Sequence, residues 1–164
     1  MRTITILIVA IMMQPGCTSG KGTFNDFYQE NKYNEGVVTF EVPSILFQYL
    51  VRKADVGDET GNELLRKVRG VQVYISESAS REEITRFERI LDPGLYKELM
   101  VMRDGPTLLS FKAREGRGGI EEILLTATGD EGLFVLSLTG RFTEEDAQTM
   151  IKQVNLTDAF NLGF

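Results

Sequence analysis

The only cysteine of the chain, Cys17, is the residue whose surroundings most clearly predict a chemical modification. It follows Gln14-Pro15-Gly16, and a small residue directly before a cysteine resembles the lipobox that lipoprotein signal peptidase cleaves. Gln14 and Pro15 depart from that pattern, because leucine and a small residue are usual there. The alternative is an ordinary secretory signal with an unpaired cysteine, which would be a liability in an oxidising compartment. We therefore expect Cys17 to become the acylated first residue of the mature protein.

Residues 1–16 have the composition of a signal peptide. Arg2 provides a positive start, and residues 4–13 form an unbroken apolar run. Such a run of about ten residues is too short to cross a bilayer, but it fits the hydrophobic region of a signal peptide. Residues 17–23 are small and polar apart from one lysine, and they are expected to form a tether. Asp26 is the first acidic residue after Cys17, so no acidic residue directly follows the cysteine as in lipoproteins exported to the cell surface. We therefore expect a lipid anchor on the periplasmic face of the outer membrane of a bacterial cell envelope.

Carboxylates are the other residues that could do chemistry, because the chain contains no histidine. Without histidine there is no Ser-His-Asp or Cys-His arrangement and no His-ligated metal site. Glu121 and Glu122 are adjacent on a predicted strand, where neighbouring side chains point to opposite faces, so we expect them not to converge. The acidic run at Glu144, Glu145 and Asp146 fits the first turn of a helix, where acids interact favourably with the helix dipole.

Two loops have some features of ligand sites. The glycine-rich segment 116–119 lacks the helix and the Lys-Ser/Thr pair of a phosphate-binding loop, so we predict a hairpin turn there. Asp55, Asp58 and Glu59 share a loop, but their spacing is not that of a calcium-binding EF-hand. We therefore expect no catalytic residue, no cofactor and no metal ion, and a protein that is not an enzyme.

The chain carries a formal net charge of −6. This balance argues against binding to nucleic acid, which depends on basic clusters that displace counterions. It also disfavours a polybasic membrane-binding face, so we expect the membrane to be reached through the lipid on Cys17. The length of 164 residues suits one domain with a single core, which we place at residues 24–164.

The elements that must position these residues are predicted from hydrophobic periodicity and turn residues. Six segments have the alternation or the β-branched content of strands. They are residues 37–42, 71–75, 98–103, 107–114, 120–128 and 133–139. The last four are joined by short turns, which predicts an antiparallel meander.

Three segments have apolar residues at helical spacing: 44–54, 81–91 and 143–154. Shorter helical stretches are indicated at 24–32 and 62–68. Ser80 and Glu83 form the pattern of a capping box, and Phe87 and Ile151 are expected to be buried against the sheet. In the predicted helix at 44–54 the apolar positions are Ile45, Leu46, Tyr49 and Leu50. The predicted fold is a two-layer α+β domain, with a mainly antiparallel sheet of about six strands covered on one face by about three helices.

Six segments carry a family resemblance. They are FNDFY at 24–28, NEGVV at 34–38, VQVYI at 71–75, YKELM at 96–100, IEEILL at 120–125 and LSLTG at 136–140. Their pattern and order resemble the domain of unknown function (DUF) 4252 family of bacterial lipoproteins over about residues 24–156. The resemblance implies a secreted or lipid-anchored envelope protein. It implies no enzyme activity, and it brings no functional residues to carry over.

Three kinds of function follow as hypotheses. The first is a non-enzymatic binding or regulatory module with an envelope protein as a partner, anchored by Cys17. The second is a hydrolase that uses carboxylates alone, which would need two facing carboxyl groups about 5–9 Å apart in a cleft. The third is a structural subunit that assembles by adding a strand at a sheet edge. A flat apolar patch would favour the first, a cleft with paired acids the second and an unprotected edge the third.

Overall fold

The computed structural model describes residues 22–54, 59–130 and 132–153, and these contain six strands and five helices. The strands are β1 (Val37–Pro43), β2 (Val68–Ser76), β3 (Tyr96–Asp104), β4 (Thr107–Gly116), β5 (Gly119–Thr128) and β6 (Leu133–Phe142). The helices are α1 (Phe24–Asn31), α2 (Ser44–Ala54), α3 (Glu59–Lys67), α4 (Arg81–Ile90) and α5 (Glu144–Gln153). Cys17 lies outside the described residues.

The six strands form one antiparallel sheet in the order β1-β2-β6-β5-β4-β3. Strands β3 to β6 follow one another as the predicted meander. Gly116 pairs with Gly119 across a two-residue turn, which confirms the hairpin predicted for segment 116–119. Gly119 has a φ of 115°, a conformation that glycine adopts without a steric penalty. The α+β class and the six-stranded antiparallel sheet are therefore confirmed.

Helices α1 and α4 pack on one face of the sheet. The ring of Phe87 in α4 meets Phe24 and Phe27 of α1 edge to face, with centroids 6.5 and 5.1 Å away. These rings lie in one buried cluster with Tyr74 of β2 and Val135 of β6. The predicted burial of Phe87 is confirmed, since the residue is only 2% exposed.

Helices α2 and α5 pack on the opposite face. Phe47 of α2 and Ala147 of α5 contact a cluster that contains Val73 of β2. Because neighbouring residues of a strand point to opposite faces, Val73 and Tyr74 support different layers. The expectation that the three main helices cover one face is therefore wrong. Helices lie on both faces of the sheet, so the domain has three layers rather than the predicted two.

The inner strands explain why helices are needed on both faces. Ile123, Leu124 and Leu125 are consecutive apolar residues of β5, and both faces of this strand are covered. Such runs are typical of strands that are buried on both sides, whereas one-sided sheets alternate apolar and polar residues.

The element bounds agree with the predicted ones to within a few residues. The largest shifts are three residues: β2 begins at Val68 and α3 at Glu59, each earlier than predicted, and β6 ends at Phe142, later than predicted. Ile151 is partly buried rather than fully enclosed, and it packs beside the cluster of Leu109 and Phe111. Among the described residues, no helix is long and apolar enough to cross a membrane.

Helices α4 and α5 both begin with acidic residues, and the two helices are capped in different ways. At α4, Ser80 Oγ accepts a hydrogen bond from the Glu83 amide at 3.1 Å, as predicted. The Glu83 carboxylate does not complete the capping box; it accepts hydrogen bonds from Tyr74 and Ser76 of β2 instead. Glu83 therefore fixes α4 to the sheet, and burial together with this bond raises the pKa of the Tyr74 hydroxyl.

At α5, Thr143 and Asp146 cap the helix reciprocally. The Thr143 amide donates to the Asp146 carboxylate at 2.7 Å, and the Asp146 amide donates to Thr143 Oγ1 at 3.1 Å. The same carboxylate accepts two hydrogen bonds from Lys67 Nζ, at 2.8 and 3.0 Å. Asp146 therefore joins the end of α3 to the start of α5.

This ion pair predicts a pH dependence of stability on the acid side. Burial raises the pKa of Asp146, but the bonds from Lys67 and Thr143 lower it more, so its net pKa in the folded state lies below the usual value. A carboxylate with a lowered pKa stabilises the fold above its unfolded pKa of about 3.9, and this contribution is lost as the pH falls through the folded pKa. We expect Asp146→Asn to be less stable than the wild type at pH 7, with a difference that narrows towards pH 3. Urea unfolding across this range measures the difference, and a constant gap would show that the charge of Asp146 is irrelevant.

Candidate functional site

A buried carboxylate, that of Glu122 on β5, is the centre of a polar cluster inside the domain. The residue is only 3% exposed, and both of its carboxylate oxygens are occupied. Oε2 accepts hydrogen bonds from the Tyr96 hydroxyl at 2.7 Å and from Arg114 Nε at 2.9 Å. Oε1 accepts one from the Ser137 hydroxyl at 2.7 Å. Four strands, β3 to β6, therefore contribute one side chain each to the cluster.

The cluster also attaches α1 to the sheet. The Tyr96 hydroxyl accepts a hydrogen bond from the Phe24 amide at 3.0 Å, which satisfies one of the free amides in the first turn of the helix. Burial and the charge of Glu122 raise the pKa of Tyr96, so its hydroxyl keeps the proton that it donates. Burial lowers the pKa of Arg114, but the hydrogen bond to Glu122 and the nearby negative charges together outweigh burial, and the net pKa of the guanidinium is raised.

Glu121 joins the cluster, contrary to the expectation that Glu121 and Glu122 do not converge. Arg114 Nη1 donates to Glu121 Oε2 at 3.2 Å, while Nε of the same guanidinium binds Glu122. The pairing of β4 with β5 skips Glu121, since Arg114 is opposite Glu122 and the next pair involves Ile120. This β-bulge breaks the alternation of side chains, so two adjacent carboxylates reach one arginine.

A cavity of about 260 Å³ opens beside the cluster, between α1 and strands β1, β2, β4, β5 and β6. Its polar lining includes Asn25, Glu41, Gln72, Arg114, Glu122 and Thr139. Gln72 Nε2 donates to Asn25 Oδ1 at 3.2 Å, which closes one side of the cavity. Glu41 lies on the edge strand β1 and is exposed to solvent.

The contacts of Glu122 limit what this cavity can do chemically. A general acid or base must exchange a proton with a substrate, and a nucleophile must have a free lone pair in reach of it. Glu122 already accepts three hydrogen bonds, one of them from the Arg114 guanidinium at 2.9 Å. This arrangement suits a structural role, which is to hold α1 and the meander in one geometry.

Among the residues that the structure describes, the other acidic groups that could do chemistry are not brought together. Asp146 caps the start of α5, where acidic residues were expected, and it also forms an ion pair with Lys67, which was not predicted. Asp55 and Asp58 lie outside the described residues, and Glu59 begins α3. Within the part of the chain that the structure describes, no three histidine, cysteine, aspartate or glutamate residues are grouped as metal ligands.

Sequence reasoning missed the cluster, although a signal for it exists. Arg114, Glu122 and Ser137 are polar residues inside predicted strands, at positions that share one face of the sheet. A buried polar residue of this kind needs a partner, because an unpaired charge in a core is strongly destabilising. The meander predicted by the turns would have placed these three residues on neighbouring strands.

A second feature is an apolar surface at the other edge of the sheet, formed by β1 and α2. Its large apolar residues are about half or more exposed to solvent: Val38, Phe40, Ile45, Leu46, Tyr49 and Leu50. The last four are the apolar positions that were recognised in the sequence of this helix. The intervening Phe47 faces the core, whereas the four exposed residues form an apolar stripe of α2 that points outward rather than onto the sheet.

Comparison with known proteins gives one match. The family model described as a domain of unknown function, DUF4252, matches residues 28–150, which is most of the chain. No curated protein and no solved structure matches it.

Proposed function

The chain belongs to the DUF4252 family, and on that premise we propose that it is a lipid-anchored cell-envelope protein whose domain acts by binding rather than by catalysis. The observation that carries the proposal is the apolar surface of β1 and α2 described above. Contiguous apolar patches on soluble domains mark sites of contact with proteins or membranes. The lipid would be attached at Cys17, which follows a signal-peptide pattern.

The runner-up is a hydrolase that acts with carboxylates. It is supported by one observation, that Glu41 and Glu122 line the same cavity. Against it stands the environment of Glu122, whose two oxygens are held by Tyr96, Arg114 and Ser137. These three hydrogen bonds take most of the about four acceptor positions of the carboxylate, so binding is the better-supported function.

Strand addition is the third candidate, and the edge strand β1 is the place for it. β1 pairs with β2 along seven residues, and its other edge faces no strand in the described residues. Glu41 on this strand and Pro43 at its end are residues of the kinds that protect natural edges from pairing. The edge is therefore a weaker candidate for assembly than the neighbouring apolar surface is for binding.

The anchor is tested by replacing Cys17 with serine. If Cys17 is acylated, its acyl chains contribute about 0.8 kcal/mol of membrane-binding free energy per buried methylene. We expect the domain itself to contribute much less to membrane binding. We expect the wild type to sediment with membranes and the Cys17→Ser variant to move to the soluble fraction. The fold should be unchanged, because Cys17 precedes the described core by several residues.

Labelling with palmitate and intact-mass measurement test the modification itself. The expected mass is that of a chain beginning at an acylated Cys17. A soluble mature protein with an unmodified Cys17 would instead be an ordinary secreted protein. A Cys17→Ser variant that stays firmly bound to membranes would point to an uncleaved signal or to a membrane protein that holds the domain.

A further inference from the structure

The cavity beside Glu122 lies on the α1 side of the sheet, away from the apolar surface of β1 and α2. Glu41 lines the cavity from β1, whereas its neighbour Phe40 belongs to the apolar surface. Adjacent residues of a strand point to opposite faces, so the cavity and the apolar surface are separate features. At about 260 Å³ the cavity is smaller than the roughly 300–1,000 Å³ of pockets for drug-sized ligands, so its occupant is a small molecule.

Gly70 leaves one wall of this cavity open. It lines the cavity from β2, at a bulge in the pairing with β6. A Cβ atom at this position would lie only 2.8 Å from Thr139 Oγ1. The absence of a side chain therefore leaves the Thr139 hydroxyl accessible from the cavity, which Thr139 also lines.

The positive groups at the cavity are already neutralised by carboxylates. Arg114 donates from Nε to Glu122 and from Nη1 to Glu121. At the start of α1, the Asp26 carboxylate accepts hydrogen bonds from the Thr23 amide at 2.7 Å and from Thr23 Oγ1 at 2.9 Å. A guanidinium and a helix N-terminus would otherwise favour an anion, and their pairing with carboxylates removes that preference.

Glu41 is the charged residue of the lining that remains unpaired. Among the residues that the structure describes, no hydrogen bond and no ion pair engages its carboxylate. The charged side chains of the lining are Glu41, Glu122 and Arg114, so the lining as a whole is negative. Protection of the β1 edge accounts for a charge on this strand, but not for its position at a cavity whose other charges are paired.

The side chains next to Glu41 have unused acceptors. Gln72 is directly opposite Glu41 in the sheet, and its Nε2 donates to Asn25 Oδ1, so its amide oxygen is left as an acceptor. Thr139 Oγ1 donates to the Gly70 carbonyl at 3.3 Å and retains its lone pairs. Residues that are directly opposite have Cβ atoms about 4.5–5.5 Å apart, a spacing that one ammonium group with three donors can bridge.

We propose that this cavity binds a small organic cation through a primary ammonium group, which donates to the Glu41 carboxylate and the Gln72 amide oxygen, with Thr139 Oγ1 as the third acceptor. A metal ion fits less well, because Ca²⁺ takes about six to eight oxygen ligands and no group of three acidic residues occurs among the described ones. The site adds a ligand to the proposed function and depends neither on the anchor nor on the apolar surface.

Three compounds of equal chain length test the sign of the charge: pentylamine, pentanol and pentanoate. The full mature protein, in a non-ionic detergent, is titrated with each of them by isothermal titration calorimetry at low ionic strength, where screening is weak. We expect pentylamine to bind about tenfold or more tightly than the other two, the factor expected for a hydrogen bond between charged groups.

Two substitutions at Glu41 locate the site, and one at Glu98 is the matched control. Glu41→Gln preserves the shape of the side chain and removes its charge, so it should weaken pentylamine binding about tenfold or more. Glu41→Lys reverses the charge and should transfer the preference to pentanoate. Glu98 is an exposed glutamate on the opposite edge strand β3, and Glu98→Gln should bind pentylamine like the wild type.

Several results would overturn the inference. They are the absence of pentylamine binding, an equal affinity of the wild type and Glu41→Gln, and an equal loss in Glu98→Gln, which would indicate unspecific attraction to an acidic protein. Preference of the wild type for pentanoate would show that Arg114 decides the sign, and would also overturn it. Circular dichroism verifies the fold of the variants. If those at Glu41 do not fold, Thr139→Val removes an acceptor instead, and an unchanged affinity for pentylamine contradicts the site.

Discussion

Replacing Glu122 with alanine is expected to lower the free energy of unfolding by about 3–5 kcal/mol, the range for removing one partner of a buried ion pair. The substitution leaves the Arg114 guanidinium without its buried carboxylate. It also leaves the hydroxyls of Tyr96 and Ser137 without the acceptor that each uses. Buried donors without an acceptor keep their desolvation cost and lose the bond that offsets it. Denaturation in urea, followed by far-ultraviolet circular dichroism, measures the change.

The neighbouring Glu121 supplies a matched control. It binds the same arginine, but its side chain is 45% exposed whereas that of Glu122 is 4% exposed. A surface ion pair contributes about 0–1 kcal/mol, so Glu121→Ala should be close to the wild type. Equal losses for the two alanine variants would show that the buried cluster does not stabilise the fold.

Truncating Phe87 to alanine is expected to cost about 3–5 kcal/mol, because the ring is enclosed and its removal leaves a cavity. Phe87 is the aromatic contact between α4 and α1, since its ring meets both Phe24 and Phe27. Loss of the ring removes apolar burial together with the two edge-to-face contacts. The same denaturation experiment gives the value.

Phe40→Ala makes the same chemical change on the apolar surface of β1, where the ring is 49% exposed. Its expected loss of stability is below that of Phe87→Ala by about 2 kcal/mol or more, because less area is buried and no closed cavity forms. A loss below about 1 kcal/mol for Phe87→Ala would contradict the burial of its ring.

The sheet was predictable because its signals are local. Alternation in segments such as 71–75, together with the glycine-rich turn at 116–119, determines the strands and their antiparallel succession. The helices were also recognised, but the side of the sheet that each would cover was not. That information lies in runs such as Ile123-Leu124-Leu125, which indicate burial on both faces and were interpreted as part of an ordinary amphipathic strand.

The polar cluster and the α2 face were harder to predict, for two physical reasons. The convergence of Glu121 and Glu122 depends on a bulge, and one extra residue in a strand leaves no clear trace in hydrophobic periodicity. For α2, apolar residues at helical spacing were taken to face the sheet. A helix that is apolar on both sides looks the same in sequence, and the packing of Phe47 against the core, with the exposure of its neighbours, shows which side is outward. The lipid on Cys17 and its membrane stay predictions.

The way in which residue 22 is bound has a mechanical consequence. Gly22 lies in a parallel bridge with Leu91, and its two hydrogen bonds run to the carbonyl of Ile90 and the amide of Asp92. A pulling force that reaches the domain through its N-terminal tether is therefore carried first by these bonds. The next bond in line is that between the Phe24 amide and Tyr96. The load passes into the junction of α4 and β3 and from there into the meander, so α1 is protected from being unwound turn by turn.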